Sequence, residues 1–451
     1  MDERTRHLLT AAPAPLLLRM ATPNSLAFVI QSSVSLIEVW FVGQLGTSAL
    51  ASIALAFPLL MLMQAMSGGA LGGAVTSSVA RALGSGDRDK AQRLIWHALA
   101  IAAMGSGLFL VLFLLFGRAL LTFLGGSGEV LEQSAQYCLV LFVGGLFIWL
   151  IGVVGAVFRG MGAMKLPAIR MIVSAFMQVP LSGVLLLGLF GVPQLGIVGA
   201  AISAVASGFL VSAVMLLILS RSGRVIQLDT DFISFSKALF RDIFKVALPA
   251  SLSPLLTIFG ILFLTAMVAT YGEAALAGYG IGSRIEFLLI PLVFGIGAAM
   301  TSLVGLSIGA GNIDRAEHIG WTGGLFAAGL AGVVGGLLAL FPDAWISAFT
   351  SDLSTFEAAR SYIRIVGPFF AFQGLGLSLY FASQGAGAMR WPIAATIVRF
   401  VFAVGGGWML AFSFDLGLEG IFIGAAAAMF IYGVMIAASL KLGAWRNLER
   451  G

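Results

Sequence analysis

The sequence predicts an all-α integral membrane protein with twelve transmembrane helices, built as two parallel six-helix repeats. Three observations predict it. Of the 451 residues, 59% are hydrophobic and 10% are charged, against roughly 25% charged in an average soluble domain, and the mean hydropathy is +1.04. Apolar stretches recur between short charged or Gly-rich breaks, each with the ~20 residues that a helix needs to cross a bilayer core. The same short motifs also return at a near-constant interval in the second half of the chain.

The stretches fall at 20–42, 48–80, 94–117, 132–157, 167–190, 194–220, 246–270, 275–307, 319–341, 356–382, 391–412 and 417–440. Those at 48–80 and 275–307 are longer than a perpendicular helix requires, so they tilt, kink or project from the bilayer. Pro58 and Pro291 are the expected kink sites. The chain carries 58 glycines, which suits close helix packing in lipid. The Gly-rich run 67–73 lies inside an apolar stretch and follows no strand, so it reads as close helix contact rather than a phosphate loop.

Lysine and arginine concentrate in alternate breaks, at 81–93, 159–165, 221–245, 315, 390 and 441–450, while the intervening breaks are poor in them apart from Arg360 and Arg364. The positive-inside rule then places both termini in the cytosol, in a multi-pass protein of a bacterial inner membrane. Residues 1–19 form the N-terminal segment, read as a retained start because no small-residue cleavage site precedes the first apolar stretch. Residues 20–220 make the N-lobe, 221–245 a polar cytosolic linker, 246–440 the C-lobe and 441–451 the tail.

The repeats carry the architecture. Pro23-Asn24-Ser25-Leu26 returns as Pro249-Ala250-Ser251-Leu252, and the hexapeptide from Gly46 returns from Gly272, both 226 residues on. Gly84-Ser85-Gly86-Asp87 matches Gly309-Ala310-Gly311-Asn312, and the octapeptide Gly160 to Pro167 matches Gly385 to Pro392, both 225 on. Six spans per unit let both halves enter from the same side, as parallel repeats about an axis along the membrane normal, with a substrate path between them. That is transporter architecture, and it disfavours a channel or a bare scaffold.

The net charge of +5 is spread over short loops and reads as topology, so no nucleic acid partner is expected. The single Cys138 excludes an intrachain disulfide and a thiolate cluster. His7, His97 and His318 are far apart, His97 being read as a surface residue. No metal, cofactor or nucleophile–base set stands out, so the chain is not read as an enzyme.

An ionisable group inside a bilayer is costly and is a functional hypothesis by default. Glu38 is the foremost case. Asn24, Gln31, Ser35 and Glu38 are spaced 7, 4 and 3, which places them on one helical face, a polar stripe suited to a wet cavity wall and a proton-binding group. At an offset of 226 its partner is Leu264, so the charge is not a packing feature common to both repeats. Arg284 and Glu286 lie inside the eighth stretch. Two residues apart on a helix they point about 200° from each other, so each needs its own partner, and Glu38 is one candidate for Arg284. Arg170 and Arg399, each near a helix end, read as snorkelling side chains.

At these residues the chain resembles the MATE (multidrug and toxic compound extrusion) family, nearest to its DinF-like branch. Ile37 to Gly46 is similar to the family's "VDTIFVGxLG" segment, and Phe158 to Pro167 to its "LRGxGDTxxP" loop. Gly280 to Glu286 looks like "GIAxRIE", and Gly309 to Ala316 resembles "GAGxxxRA". The resemblance implies V-shaped helix bundles and alternating-access efflux of amphipathic, often cationic, compounds, coupled to inward proton or sodium flow. Glu38 occupies the family's acidic first-helix position. The fifth helix departs from the pattern: where proton-coupled archaeal members carry an Asn and an Asp four apart followed by Pro, this chain has Gln178, Ser182 and Gly183. Sodium-coupled members rely on acidic residues in the seventh and tenth helices; here the seventh offers hydroxyls and the tenth Gln373. A hard cation wants several oxygen ligands including carboxylates, so protons are favoured over sodium.

The expectation is therefore a monomeric secondary active multidrug exporter surrounded by membrane lipid. Glu38, Arg284 and Glu286 are its ion-coupling candidates, and Asn24, Gln31, Ser35, Gln178, Ser182 and Gln373 line the cavity. The alternative is a flippase for lipid or lipid-linked oligosaccharide.

Overall fold

The computed structural model describes residues 3–221 and 225–446. Residues 1 and 2, 222–224 of the expected linker and 447–451 of the tail, Arg224 and Arg450 among them, lie outside the described residues. Among the described residues there is no strand.

A short helix α1 (Glu3–Thr10) precedes the first long one, α2 (Pro13–Gly43). Then come α3 (Thr47–Gly84), α4 (Arg88–Phe123), α5 (Gly128–Val143), α6 (Gly145–Gly160), α7 (Lys165–Leu187) and α8 (Ile197–Ser220). The second half runs α9 (Lys237–Ala269), α10 (Glu273–Gly309), α11 (Ile313–Leu340), the short α12 (Pro342–Ile346), α13 (Leu353–Ala386), α14 (Arg390–Ser413) and α15 (Gly417–Lys441). Eleven of these are long and apolar enough to cross a membrane, and α5 with α6, bent by 51° at Gly144, pass the same test together and bring the count to twelve when taken as one span. A Cβ at Gly144 would stand 2.3 Å from Val205, so the close approach of that side chain needs glycine there. Many large apolar side chains face outward, Leu36 at 73% and Phe123 at 85% exposure among them, as a lipid-facing surface requires and a water-facing one does not tolerate.

The repeat seen in the sequence is a repeat of helix ends. Gly46 and Gly272 precede α3 and α10 with φ of 108° and 98°, a region open to glycine at no steric cost. Asp87 caps α4 by accepting from Lys90 N at 2.9 Å, and its counterpart Asn312 caps α11 by accepting from Arg315 N at 3.0 Å. Such caps satisfy amides that the helix leaves free.

The break in α3 falls at Ala65–Leu71, a π-helical turn, rather than at the expected Pro58, which α-helix passes through. The glycines of the 67–73 run permit the wider turn, and π-turns of this kind recur at functional positions. Its counterpart α10 continues as one helix through Pro291. The connection expected at 221–245 is shorter, because α9 begins at Lys237. Lys237, Arg241 and Lys245, spaced four apart, take the exposed face while Ile243 and Val246 are buried, so a charged segment reads as amphipathic helix.

His97 corrects its surface reading: it is fully buried. Its Nε2 accepts from Ser236 N at 2.9 Å and its Nδ1 faces Arg93 O at 2.8 Å, an arrangement that fixes the tautomer with the proton on Nδ1. With Trp96 Nε1 donating to Asp229 O at 2.8 Å it fastens the connection to α4, while Arg81 of α3 bonds Asp242 of α9 at 3.0 Å.

The chain forms two compact units. One comprises the chain up to Arg6 together with Leu26–Ala247, and the other His7–Ser25 with the described chain from Leu248 onward. Residues 7–25 thus cluster with the later half. Ser25 donates to Leu292 O at 3.2 Å, and Arg315 Nη2 donates to Leu8 O at 3.0 Å and Ala11 O at 2.6 Å. In the second unit Tyr362, Phe370, Phe422 and Met429 pack one continuous core. In the first, Trp149 is buried at 1% exposure against Gly105, where a Cβ would come within 2.2 Å of the indole.

Candidate functional site

Three helices of the first unit build the surroundings of Glu38. It lies near the end of α2, half-buried, and Gln178 of α7 donates through Nε2 to its Oε1 at 2.8 Å. Tyr137 of α5, buried at 8% exposure, is within electrostatic reach of the carboxylate. Ser182, one turn beyond Gln178, is fully buried with a hydroxyl that finds no partner among the described residues. Gly183 holds the Phe41 ring close, 3.0 Å from where its Cβ would lie.

The expected stripe along α2 is only partly assembled. Gln31 is half-buried and Ser35 is exposed. Asn24 is buried at 2% exposure and clusters with the other unit. The spacing of 7, 4 and 3 keeps these groups on one broad face, but a helix 31 residues long passes through more than one environment.

The chemistry of the Glu38–Gln178 pair is informative. A primary amide offers both a donor and an acceptor. It donates to the ionised carboxylate, and turned over it accepts from the protonated acid. Either state of Glu38 is satisfied without a second charge.

In the second unit the two charges of α10 separate, as a spacing of two dictates. Arg284 is exposed and lies over the Phe349 ring at 5.3 Å, so within its unit the guanidinium meets an aromatic face rather than the carboxylate expected for it. Glu286 turns inward and accepts from the Tyr362 hydroxyl. Tyr362 is held edge-on between Tyr279 at 5.5 Å and Phe422 at 5.1 Å. Arg399 of α14 stacks on Tyr432 at 5.2 Å and is within electrostatic reach of Glu286. Gln373 shares with Glu286 a small cavity of about 20 Å³ and presents a buried Oε1 that bonds to no group among the described residues. That volume is on the order of one water-sized guest.

Sequence reading missed Tyr137, Tyr362 and the part played by Arg399, which it took as a snorkelling end residue. Arg399 lies ten residues into α14, too deep for a charge without an interior partner, and that depth was the available signal. Among the described residues no three His, Cys, Asp or Glu side chains come together as a metal set.

Two duplicated six-span units, with a carboxylate inside the helices of each, define a membrane transporter rather than an enzyme. The chain belongs to the MatE family, whose model matches it twice, over residues 23–184 and 249–409, one match per repeat. It is 25% identical over 432 residues to a probable multidrug resistance protein NorM of Thermotoga maritima, covering 96% of this chain and 93% of that one. It is 26% identical to an FAD transporter of Shewanella oneidensis, covering 88% and 87%. Among solved structures, a MATE transporter in complex with MaD5 superposes over 100% of both chains with a TM-score of 0.89 at 25% identity.

Proposed function

We propose that this protein is a secondary active multidrug exporter of a bacterial inner membrane, both termini cytosolic. It moves amphipathic organic compounds outward by alternating access, driven by protons in preference to sodium. The observation that carries the reading is the Glu38–Gln178 hydrogen bond, because an amide partner serves both the loaded and the unloaded carboxylate. A sodium ion asks for several hard oxygens, and one carboxylate beside one amide supplies fewer.

In this mechanism substrate binding favours ionised Glu38, protonation lowers substrate affinity, and linkage makes the two effects equal in size. Ser182, Gln31 and Ser35 line the path within the first unit. Glu286 and Gln373 form the corresponding carboxylate–amide neighbourhood of the second unit and are the second coupling position. Arg284, turned to Phe349, sets local charge rather than carrying protons.

Drug efflux in inverted vesicles, with a proton or a sodium gradient imposed separately, tests the reading. Proton-driven efflux that Glu38→Gln abolishes is the expected result. Sodium-driven efflux, or a Glu38→Gln protein that works normally, would overturn the coupling assignment while leaving the family in place.

A further inference from the structure

The first unit holds a second polar cluster that coupling does not use. Arg159 stands in the last turn of α6 and Arg170 lies one and a half turns into α7. Their guanidinium groups meet beside Gly155. The point where Gly155 would carry a Cβ is 3.6 Å from Arg159 Nη1 and 3.9 Å from Arg170 Nη2. On another side, Arg159 Nη2 lies 3.4 Å from the same point on Gly72, beside the Ser67 carbonyl of the π-helical turn, and Gly68 of that turn opens on free space. Both arginines stand deep among the helices, yet each keeps some accessible surface.

Neither meets a carboxylate. Arg170 Nε reaches the Pro167 carbonyl at 3.4 Å, and Arg159 donates to no acceptor among the described residues. The other inward arginines are answered: Arg4 bonds Gly162 O at 2.9 Å, Arg81 bonds Asp242, Arg315 bonds two carbonyls, and Arg399 lies on Tyr432. The repeat gives an independent argument. At an offset of 225 the partners of Arg159 and Arg170 are Gln384 and Ala395, although the loops between them match almost residue for residue. The shared loop does not need these charges to fold.

Two uncompensated like charges in a region of low dielectric are costly, and a doubly charged oxyanion between them removes the cost. Guanidinium forks match phosphate oxygens two at a time, a carboxylate would neutralise only one of them, and the glycines leave room. We propose that Arg159 and Arg170 form an oxyanion receptor in the wall of the first unit and that its ligand is a phosphate group. The inference rests on the transporter reading only for the source of that phosphate, which is either the head of a carried compound or that of a phospholipid lodged in the wall.

The test uses the full chain, purified and delipidated in detergent, titrated calorimetrically with inorganic phosphate and with 1-naphthyl phosphate against 1-naphthol. Saturable phosphate binding is expected in the unaltered protein. It should weaken at least about tenfold in Arg159→Gln and in Arg170→Gln, where one of the two ionic forks is lost. Gly155→Ala should also weaken it: the added methyl meets both arginines at ordinary contact distance, so the fold stands while the space there fills. Preference for 1-naphthyl phosphate over 1-naphthol assigns the phosphate to cargo. Phosphatidylglycerol retained before delipidation, seen by native mass spectrometry and lost in the arginine variants, assigns it to lipid. Absence of phosphate binding together with absence of retained phospholipid, or equal binding in all variants, overturns the proposal. No gradient enters the measurement, so failure of either reading leaves the other standing.

Discussion

Glu38 and Glu286 each place a carboxyl group among membrane helices, yet their surroundings differ in kind. Glu38 is half-buried and answered by one neutral amide. Glu286 is likewise half-buried, but it is answered by a phenol that aromatic rings flank, and it has an arginine within electrostatic reach. The first arrangement tolerates gain and loss of a proton with little rearrangement. The second ties its carboxyl to a packed hydroxyl, so a change of state there disturbs a neighbour. Duplicated halves that keep the same helix ends have thus taken different interiors, and the difference separates a coupling position that changes state freely from a second that also holds its neighbours.

The largest effect expected from that comparison is on transport. Glu38→Gln should reduce proton-driven efflux to background with an unchanged melting temperature, whereas Glu286→Gln, which still accepts from Tyr362, should retain part of it. Equal loss of efflux in both variants would erase the distinction. On stability the order reverses. Glu286→Leu strands the Tyr362 hydroxyl that its carboxylate accepts from, and leaving a buried donor unpaired costs about 2 kcal/mol. Glu38→Leu strands only an amide and should cost about 1 kcal/mol, as read by thermal unfolding in detergent.

The shared joints make the opposite prediction, of equal effects. A Cβ on Gly199 would stand 2.7 Å from the Leu185 backbone, and one on the equivalent Gly424 would stand 2.4 Å from Gly407 Cα. Neither neighbour is the end of a flexible side chain, so Gly199→Ala and Gly424→Ala should each destabilise by about 1–3 kcal/mol. A large cost in one repeat alone would mean that the two joints are not equivalent. The caps come next: Asp87→Ala and Asn312→Ala should each cost about 1 kcal/mol.

The smallest effect belongs to Asp352, which caps α13 outside the spans. The Ser354 hydroxyl first, then the Thr355 amide, hold its carboxyl down at about 2. An unfolded Asp titrates near about 3.9, so the cap contributes fully above that pH and is lost as pH falls through about 2. Asp352→Asn should therefore differ from the unaltered protein in its pH dependence only below about pH 4, a difference that unfolding curves taken from pH 7 downward would show.

The fold was legible because its signals are long and repeated. Twelve apolar stretches set the spans, and recurrence of Gly46 as Gly272 and of Asp87 as Asn312 set the joints. What stayed hidden depends on depth and direction. Nothing local in the sequence says that His97 turns inward to meet Ser236, 139 residues away, or that a run of basic residues from Lys237 is already helix. The π-helical turn escaped because proline is the louder signal and glycine carried the break. At the site, Glu38 stood out as a charge in apolar surroundings and Gln178 as the residue at the resembled family's fifth-helix polar position, and the structure joins them. The Arg284 charge is legible in the sequence, whereas the ring of Phe349 beneath it, brought in by a later loop, is not.

The buried indole beyond the last span has a practical side. Trp445 is 2% exposed and fills the space over Gly320, where a Cβ would come within 3.0 Å of it, while Arg446 bonds Asp314 and Glu317 at the rim. These residues seal the end of α11 like a stopper. A purification tag that replaces the chain from Ala444 would leave the seat empty, and a truncation judged harmless by hydropathy would then lower yield and melting temperature. Any tag belongs after these residues.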